Sequence, residues 1–269
     1  MTVRYLFDCR DELEAGRAGK HLVLLLDFDG TLAPIAPTPD EAALPGETRQ
    51  ALEALSRSPV CTVAIVSGRS LEDVRAKVGI EGITYVGNHG LEIVRPGEEL
   101  QPLNMARHAA VLQRMKEELT LSLAAFPGVI IEDKGCSLAV HYRKVSEENR
   151  PLVKAAVHER ARVHGGEREI EVAAGAMVLE LRPPFGRDKG TIVSEMLESE
   201  ARRRGEANLF AVYLGDDMTD EDAFKALRGR GWPVLVGAPR ISYAEYYLND
   251  PGEVRDLLAM FASGGPGEW

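Results

Sequence analysis

Residues 22–32 read LVLLLDFDGTL, and the change of character inside this stretch decides the fold. Leu22 to Leu26 form an unbroken apolar run, too short for a membrane helix and suited to a parallel strand buried on both faces. The run stops at Asp27. Two carboxylates, Asp27 and Asp29, follow where a buried strand would emerge, and Gly30 and Thr31 add a turn and a hydroxyl. Asp, Gly and Thr are ordinary turn residues, so a capped strand-to-helix turn is the plain alternative. Two acidic groups two residues apart at the end of a hydrophobic strand also suit a metal-bound carboxylate nucleophile with a second carboxyl beside it for proton transfer.

Outward from this stretch the chain alternates strand and helix. Pro34, Pro37 and Pro39 interrupt regular structure, and Pro45 is expected as the first residue of the helix PGETRQALEALSRS. The strand TVAIVS ends in Ser67-Gly68-Arg69 before a helix near Ser70, and the strand ITYVG ends in Asn88-His89-Gly90. Each of these strands ends in a polar, glycine-bearing loop, where an open parallel sheet binds its ligands. Beyond Pro184 the pattern returns: a helix over 188–204, the strand LFAVYLG, the run Asp216-Asp217-Met218-Thr219-Asp220, a helix near Thr219, the strands PVLVG and YYL, and a helix opened by Asp250-Pro251. The expected class is α/β, with a doubly wound, Rossmann-like parallel sheet. Between the two halves lie a helix over 107–126, the strands VIIEDK and SLAVHYRK, a helix over 146–164, and the strands EIEVAA and MVLELRP. That order describes an antiparallel sheet covered by two helices, an inserted α/β domain. The expected division is a discontinuous core of residues 1–100 and 185–269 around an insert of residues 101–184.

The 269 residues, 45% of them hydrophobic, support proper cores without staples. A net charge of −10 argues against nucleic acid or an anionic membrane as partner, because binding either relies on clustered Lys and Arg. Three cysteines, Cys9, Cys61 and Cys136, are odd in number and widely spaced, as expected of reduced thiols in a cytoplasmic protein. The first residues, MTVRYLFDCRDELEAG, lack the apolar segment of a signal peptide, and no 18 apolar residues run together. A soluble chain acting on a small molecule, with a monomer favoured, is the expectation.

If the strand ending at Asp27 lies beside the one ending at Gly215, the sheet reverses between them and Asp27, Asp29 and Asp216 meet at its crevice. Oxygen donors without a Cys or His cluster favour a hard octahedral cation, Mg²⁺ above all. Capping accounts for part of the acidic run: Thr219 and Asp222 have capping-box spacing, which absorbs Asp222 and Glu221 but leaves Asp216 and Asp217 ahead of the cap. Lys189, followed by Gly190, puts a cation at the wrong end of a helix dipole, an inconsistency typical of functional sites. Reaching into the crevice, it would hold a phosphate. The Ser67 hydroxyl, followed by backbone N–H groups, fits a second phosphate-binding position.

Asp27-Phe28-Asp29-Gly30-Thr31, Ser67-Gly68-Arg69, Lys189 and Gly215-Asp216-Asp217 together match, in order, the four motifs of the haloacid dehalogenase superfamily of phosphohydrolases, and the insert of residues 101–184 resembles the large α/β cap domain of that superfamily. More narrowly, GNHG at 87–90, EDKG at 132–135, HYR at 141–143, ELRP at 180–183 and GDDMTDEDAF at 215–224 resemble the trehalose-6-phosphate phosphatase family. The resemblance implies that Asp27 attacks phosphorus, that Asp29 serves as acid and base, and that Ser67 and Lys189 hold the phosphoryl oxygens. It implies Mg²⁺ held by Asp27, Asp29 and Asp216, with Asp217 and Asp220 close by. Thr31, Gly68, Arg69 and Asn88 are expected to line the substrate site.

In the cap, Glu132 and Lys134 share one strand face, and Glu180 stands opposite the apolar positions Met177, Leu179 and Leu181. A solvent-facing sheet side accounts for this patterning equally well. The resemblance turns the reading towards sugar recognition by Glu132, Lys134 and Glu180, with His141 and Arg143 as further contacts. A phosphatase of another sugar phosphate, such as sucrose or mannosylglycerate phosphate, would keep the same core motifs. A phosphomutase would retain the phosphoryl group, and a dead-site binding protein would not need both Asp27 and Asp29.

Overall fold

The structure, a computed structural model, describes residues 3–98, 106–164, 170–175, 177–183 and 187–264. The chain divides into two compact units, Met1–Gln101 with Arg187–Trp269, and Pro102–Gly186. The expected boundaries at 100/101 and 184/185 fall outside the described residues.

In chain order the strands of the first unit are β1 (Arg4–Tyr5), β2 (His21–Leu26), β3 (Cys61–Val66), β4 (Thr84–Gly87) and β5 (Glu92–Val94); after the four strands β6 to β9 of the second unit come β10 (Leu209–Gly215), β11 (Trp232–Val236) and β12 (Tyr246–Leu248). They form one sheet in the order β1-β12-β11-β10-β2-β3-β4-β5, parallel throughout except where β5 runs antiparallel to β4. β2 is the central strand. Every one of its residues is buried, which is why it reads as a continuous apolar run.

Its alternate side chains enter different cores. Leu22, Leu24 and Leu26 pack with α2 (Gly46–Ser56), α3 (Leu71–Val78) and α8 (Pro251–Ser263), through Leu52, Leu55, Val74, Leu257 and Phe261. Val23 and Leu25 pack on the other face with α6 (Lys189–Arg204) and α7 (Glu221–Leu227), through Ile192, Val193, Phe224 and Leu227. Each buried leucine contributes about 2 kcal/mol, so the strand is anchored from both sides. β10 pairs directly with β2, and crossovers to opposite sides of this pair create the sheet reversal on which the site depends.

The first residues, where weak periodicity allows a short helix, add β1 to the sheet edge by pairing Arg4 with Tyr246, followed by the short helix α1 (Arg10–Arg17). Pro45 is the residue capping α2, one position before the helix proper. The helix expected near Thr219 starts at Glu221, after a single 3₁₀ turn over Met218–Asp220.

In the second unit, α4 (Ala106–Leu123) and α5 (Arg150–His164) accompany a sheet of β6 (Ile130–Asp133), β7 (Leu138–His141), β8 (Glu171–Gly175) and β9 (Val178–Arg182). Its order is β6-β7-β9-β8, with antiparallel neighbours. Leu138, Val140, Leu179 and Leu181 share a core with Leu112, Met115 and Leu119 of α4 and Val153 and Val157 of α5. Met177 is no part of this apolar face: it precedes β9 at a φ of 66° and is 39% exposed. Among the described residues no helix is long and apolar enough to cross a membrane.

Candidate active site

The C-terminal ends of β2, β3, β4 and β10 deliver Asp27, Ser67, Asn88 and Asp216, and the first turn of α6 delivers Lys189. Asp27 is buried, and its backbone N–H is tied to the Leu214 carbonyl of β10 at 2.9 Å. Lys189 is also buried. Its Nζ donates to Asp27 Oδ1 and to Asp220 Oδ1, each at 2.7 Å. Tyr213, in the buried middle of β10, donates its hydroxyl to the same Asp220 oxygen at 2.7 Å, and the Asp217 N–H donates to Asp220 Oδ2 at 3.0 Å. Asp220 is thereby a fixed seat for the lysine.

Oxygens of Asp27, Asp216 and Asp220 lie within 4.8 Å of one another. Three carboxylates face one ammonium there. Burial first, then Asp220 and Asp217, push the Asp216 carboxyl up to about 7. Burial, with Asp220 and Asp216 nearby, also raises Asp27 despite the opposing pull of Lys189. Burial works against the Lys189 charge, but Asp220 and Asp27 outweigh it, so the ammonium persists. This all-oxygen, negatively overcharged donor set fits a divalent cation. Gly30, at a φ of 76°, keeps the space open: a Cβ there would collide with the Asp216 carboxylate. Because Asp220 already accepts bonds at both oxygens, Asp27 and Asp216 are the carboxylates best able to hold the ion.

Asp217 caps the 3₁₀ turn. Its Oδ1 accepts from the Thr219 N–H and hydroxyl, each at 2.7 Å, and the capping box joins Asp217 to Asp220, where spacing had suggested Thr219 and Asp222. Burial opposes its charge, but Lys189 and the Thr219 hydrogen bonds hold its carboxyl below the usual range.

Thr31 is fully enclosed, and among the described residues its hydroxyl meets no hydrogen-bond partner. The buried Asn88 side chain donates to Glu92 at 2.6 Å, and Glu92 also accepts the first N–H of α3, which braces the loop. Ser67 is buried, and its Oγ accepts from the Arg69 N–H at 3.1 Å, leaving its own proton to donate. Gly68 has no Cβ because the His89 ring occupies that space. The Arg69 guanidinium donates to Asp29, Asp73 and the Pro39 carbonyl.

In the second unit, register places Glu132, Ala139, Glu180 and Ala173 in one row across the sheet, on the face opposite the helices. Glu180 is buried and accepts from Ser137 Oγ at 2.7 Å and Lys134 Nζ at 3.3 Å. His141 Nε2 lies 2.8 Å from Glu132 Oε2. Arg143 is exposed beyond the end of β7.

Two residues of the first unit joined the site without warning from spacing. Tyr213 looked like a strand residue and Arg240 like loop, yet Arg240 clamps the Asp216 and Asp217 carbonyls at 2.7 and 2.9 Å. His89, at a φ of 55°, holds a backbone conformation uncommon for a residue with a side chain, beside Gly68.

With this geometry in view, the comparisons with known proteins agree. A family model described as trehalose-phosphatase matches residues 25–251. The trehalose-phosphate phosphatase of Mycobacterium avium (strain 104) is 40% identical over 255 residues, covering 92% of this chain, and the chain spans 63% of that relative's length. Trehalose-phosphate phosphatase B of Arabidopsis thaliana is 34% identical over 262 residues, covering 92% of this chain and 68% of its own. Among solved structures, the C-terminal domain of C. albicans trehalose-6-phosphate phosphatase superposes with a TM-score of 0.81 at 25% identity, covering 97% of this chain and 98% of its own. Matched over residues 25–251, from the central strand β2 to the start of α8, this chain belongs to the trehalose-phosphatase family.

Proposed function

We propose that the chain hydrolyses trehalose 6-phosphate to trehalose and phosphate through an aspartyl phosphate on Asp27, in the cytoplasm, where its three cysteines stay reduced. The observation that carries the reading is the buried Asp27 carboxylate held by Lys189 beside Asp216 at the carboxyl ends of β2 and β10. An Asp27 oxygen attacks phosphorus while Asp29 protonates the departing sugar oxygen; Asp29 then takes a proton from the water that opens the intermediate. Ser67 and Lys189 donate to the phosphoryl oxygens, and Asp220 and Tyr213 keep the lysine aimed. Mg²⁺, held by Asp27 and Asp216 with help from the Asp29 backbone, would supply charge stabilisation for the phosphoryl group. Glu180, Lys134, Glu132, His141 and Arg143 provide polar contacts for sugar hydroxyls.

The test is phosphate release from trehalose 6-phosphate, sucrose 6-phosphate, glucose 6-phosphate and an aryl phosphate, with Mg²⁺ and with excess chelator. Preference for trehalose 6-phosphate, lost in chelator, is expected. Equal turnover of another disaccharide phosphate would favour the broader sugar-phosphatase reading, since the polar row of the second unit suits hydroxyls in general. Conversion of substrate without free phosphate would indicate a phosphomutase.

A further inference from the structure

We infer that Arg69 is the residue that positions Asp29 as the base for the second half of the reaction, an inference resting on the phosphatase reading above. Its Nε donates to Asp29 Oδ2 at 2.6 Å and its Nη2 to Asp29 Oδ1 at 2.7 Å, a bidentate fork on the carboxylate. The fork is fixed independently of Asp29. Nη1 donates to Asp73 Oδ2 at 2.6 Å, Nη2 also reaches the Pro39 carbonyl at 2.9 Å, and the guanidinium lies 5.4 Å from the Phe28 ring centroid. The Arg69 backbone is pinned too, its N–H on Ser67 Oγ and its carbonyl accepting the Asn88 N–H at 2.7 Å. With side-chain exposures of 7% for Arg69 and 43% for Asp29, a rigid buried cation orients an accessible carboxylate.

The fork favours one of the two roles of Asp29. A general acid must keep a proton on the oxygen that meets the leaving group, whereas the two parallel N–H bonds of the fork are matched to an ionised carboxylate. A base needs lone pairs alone, and a carboxylate has about four acceptor positions, so two remain while Arg69 holds the others. In the first half-reaction the Asp27 O–P bond forms and the P–O bond to the leaving group breaks, the leaving oxygen taking the electron pair and a proton. In the second, the water O–P bond forms, the Asp27 O–P bond breaks with its pair returning to Asp27, and the water proton passes to Asp29. Arg69 acts on this second transfer.

The test uses 4-nitrophenyl phosphate, whose leaving group departs without a proton. For it, kcat/KM reports formation of the aspartyl phosphate, whereas kcat also contains its hydrolysis. In Arg69→Lys and Arg69→Gln, kcat should fall roughly 10- to 100-fold with KM falling in proportion, kcat/KM staying within about threefold, and a burst of nitrophenolate equal to the enzyme present. Asp73→Asn, which loosens the fork without touching a reacting group, should give the same signature at roughly 2- to 10-fold. It decides the matter if the Arg69 variants fail to fold by circular dichroism. A kcat/KM that falls together with kcat, or a folded variant with unchanged kcat, overturns the positioning role. A wild-type enzyme inactive on both sugar and aryl phosphates instead brings down the phosphatase reading itself.

Discussion

At the residue scale, the balance between Lys189 and its three carboxylate neighbours makes opposite substitutions distinguishable. Asp27→Asn removes one of the crowded negative charges together with the proposed nucleophile. Turnover should fall by about 1000-fold or more while the urea midpoint of the metal-free protein holds or rises, because a like-charge cluster is relieved. Lys189→Met removes the one buried ammonium at the cluster and should lower stability by about 3 kcal/mol, the usual consequence of breaking a buried pair. Midpoints that move in the same direction would mean that the cluster is not overcharged. Gly30→Ala is the steric counterpart. With its Cβ driven into the Asp216 carboxylate at a positive φ, it should weaken Mg²⁺ activation by roughly 10-fold or more, read from the Mg²⁺ dependence of phosphate release.

At the element scale, β9 carries two kinds of residue on opposite faces: Leu179 and Leu181 in the core of the second unit, and Glu180 on the polar face with Lys134 and Ser137. Alternation along a strand makes this possible without irregular backbone. Glu180→Ala deletes the hub of that polar group but leaves the apolar face untouched. The expected outcome is a loss in kcat/KM for trehalose 6-phosphate of roughly 10- to 1000-fold, with a small aryl phosphate hydrolysed nearly as before. Equal losses on both substrates would put Glu180 in folding or chemistry rather than sugar recognition.

At the scale of the whole molecule, the acidic crevice is a store of pH-dependent instability. Asp216 is raised from the ordinary aspartate range to about 7 by burial and by Asp220 and Asp217, so between these values the folded chain holds a proton that the unfolded chain has lost. Stability contributed by that proton is present below the unfolded value and is lost as pH rises through 7. Asp27, raised by burial, acts in the same direction, while Asp217, lowered, adds a loss only at strongly acid pH. The metal-free protein should therefore lose about 1 to 4 kcal/mol between pH 5 and pH 8. Saturating Mg²⁺ should raise Tm more at pH 8 than at pH 5, since it replaces the missing positive charge. A Tm of the metal-free protein that climbs across this range would contradict the charge balance assigned to the crevice.

Residues 22–32 by themselves determined the central strand and the point where chemistry begins, because five consecutive apolar residues in a chain of this length belong inside a sheet and the carboxylates could follow only where the strand gives way to a loop. The alternation of elements likewise dictated the sheet and the inserted unit, since hydrophobic period is a local property. Sequence spacing could not say which polar side chains would point into the crevice. Asn88 turned to Glu92, Thr31 was enclosed, Arg69 forked onto Asp29, and Asp220 became a seat for Lys189. Tyr213 and Arg240 joined the site although neither resembled a site residue. These choices belong to tertiary structure because each depends on a partner far along the chain. A buried donor or acceptor is committed by whichever counterpart the fold brings within about 3 Å, and no local pattern records that distance.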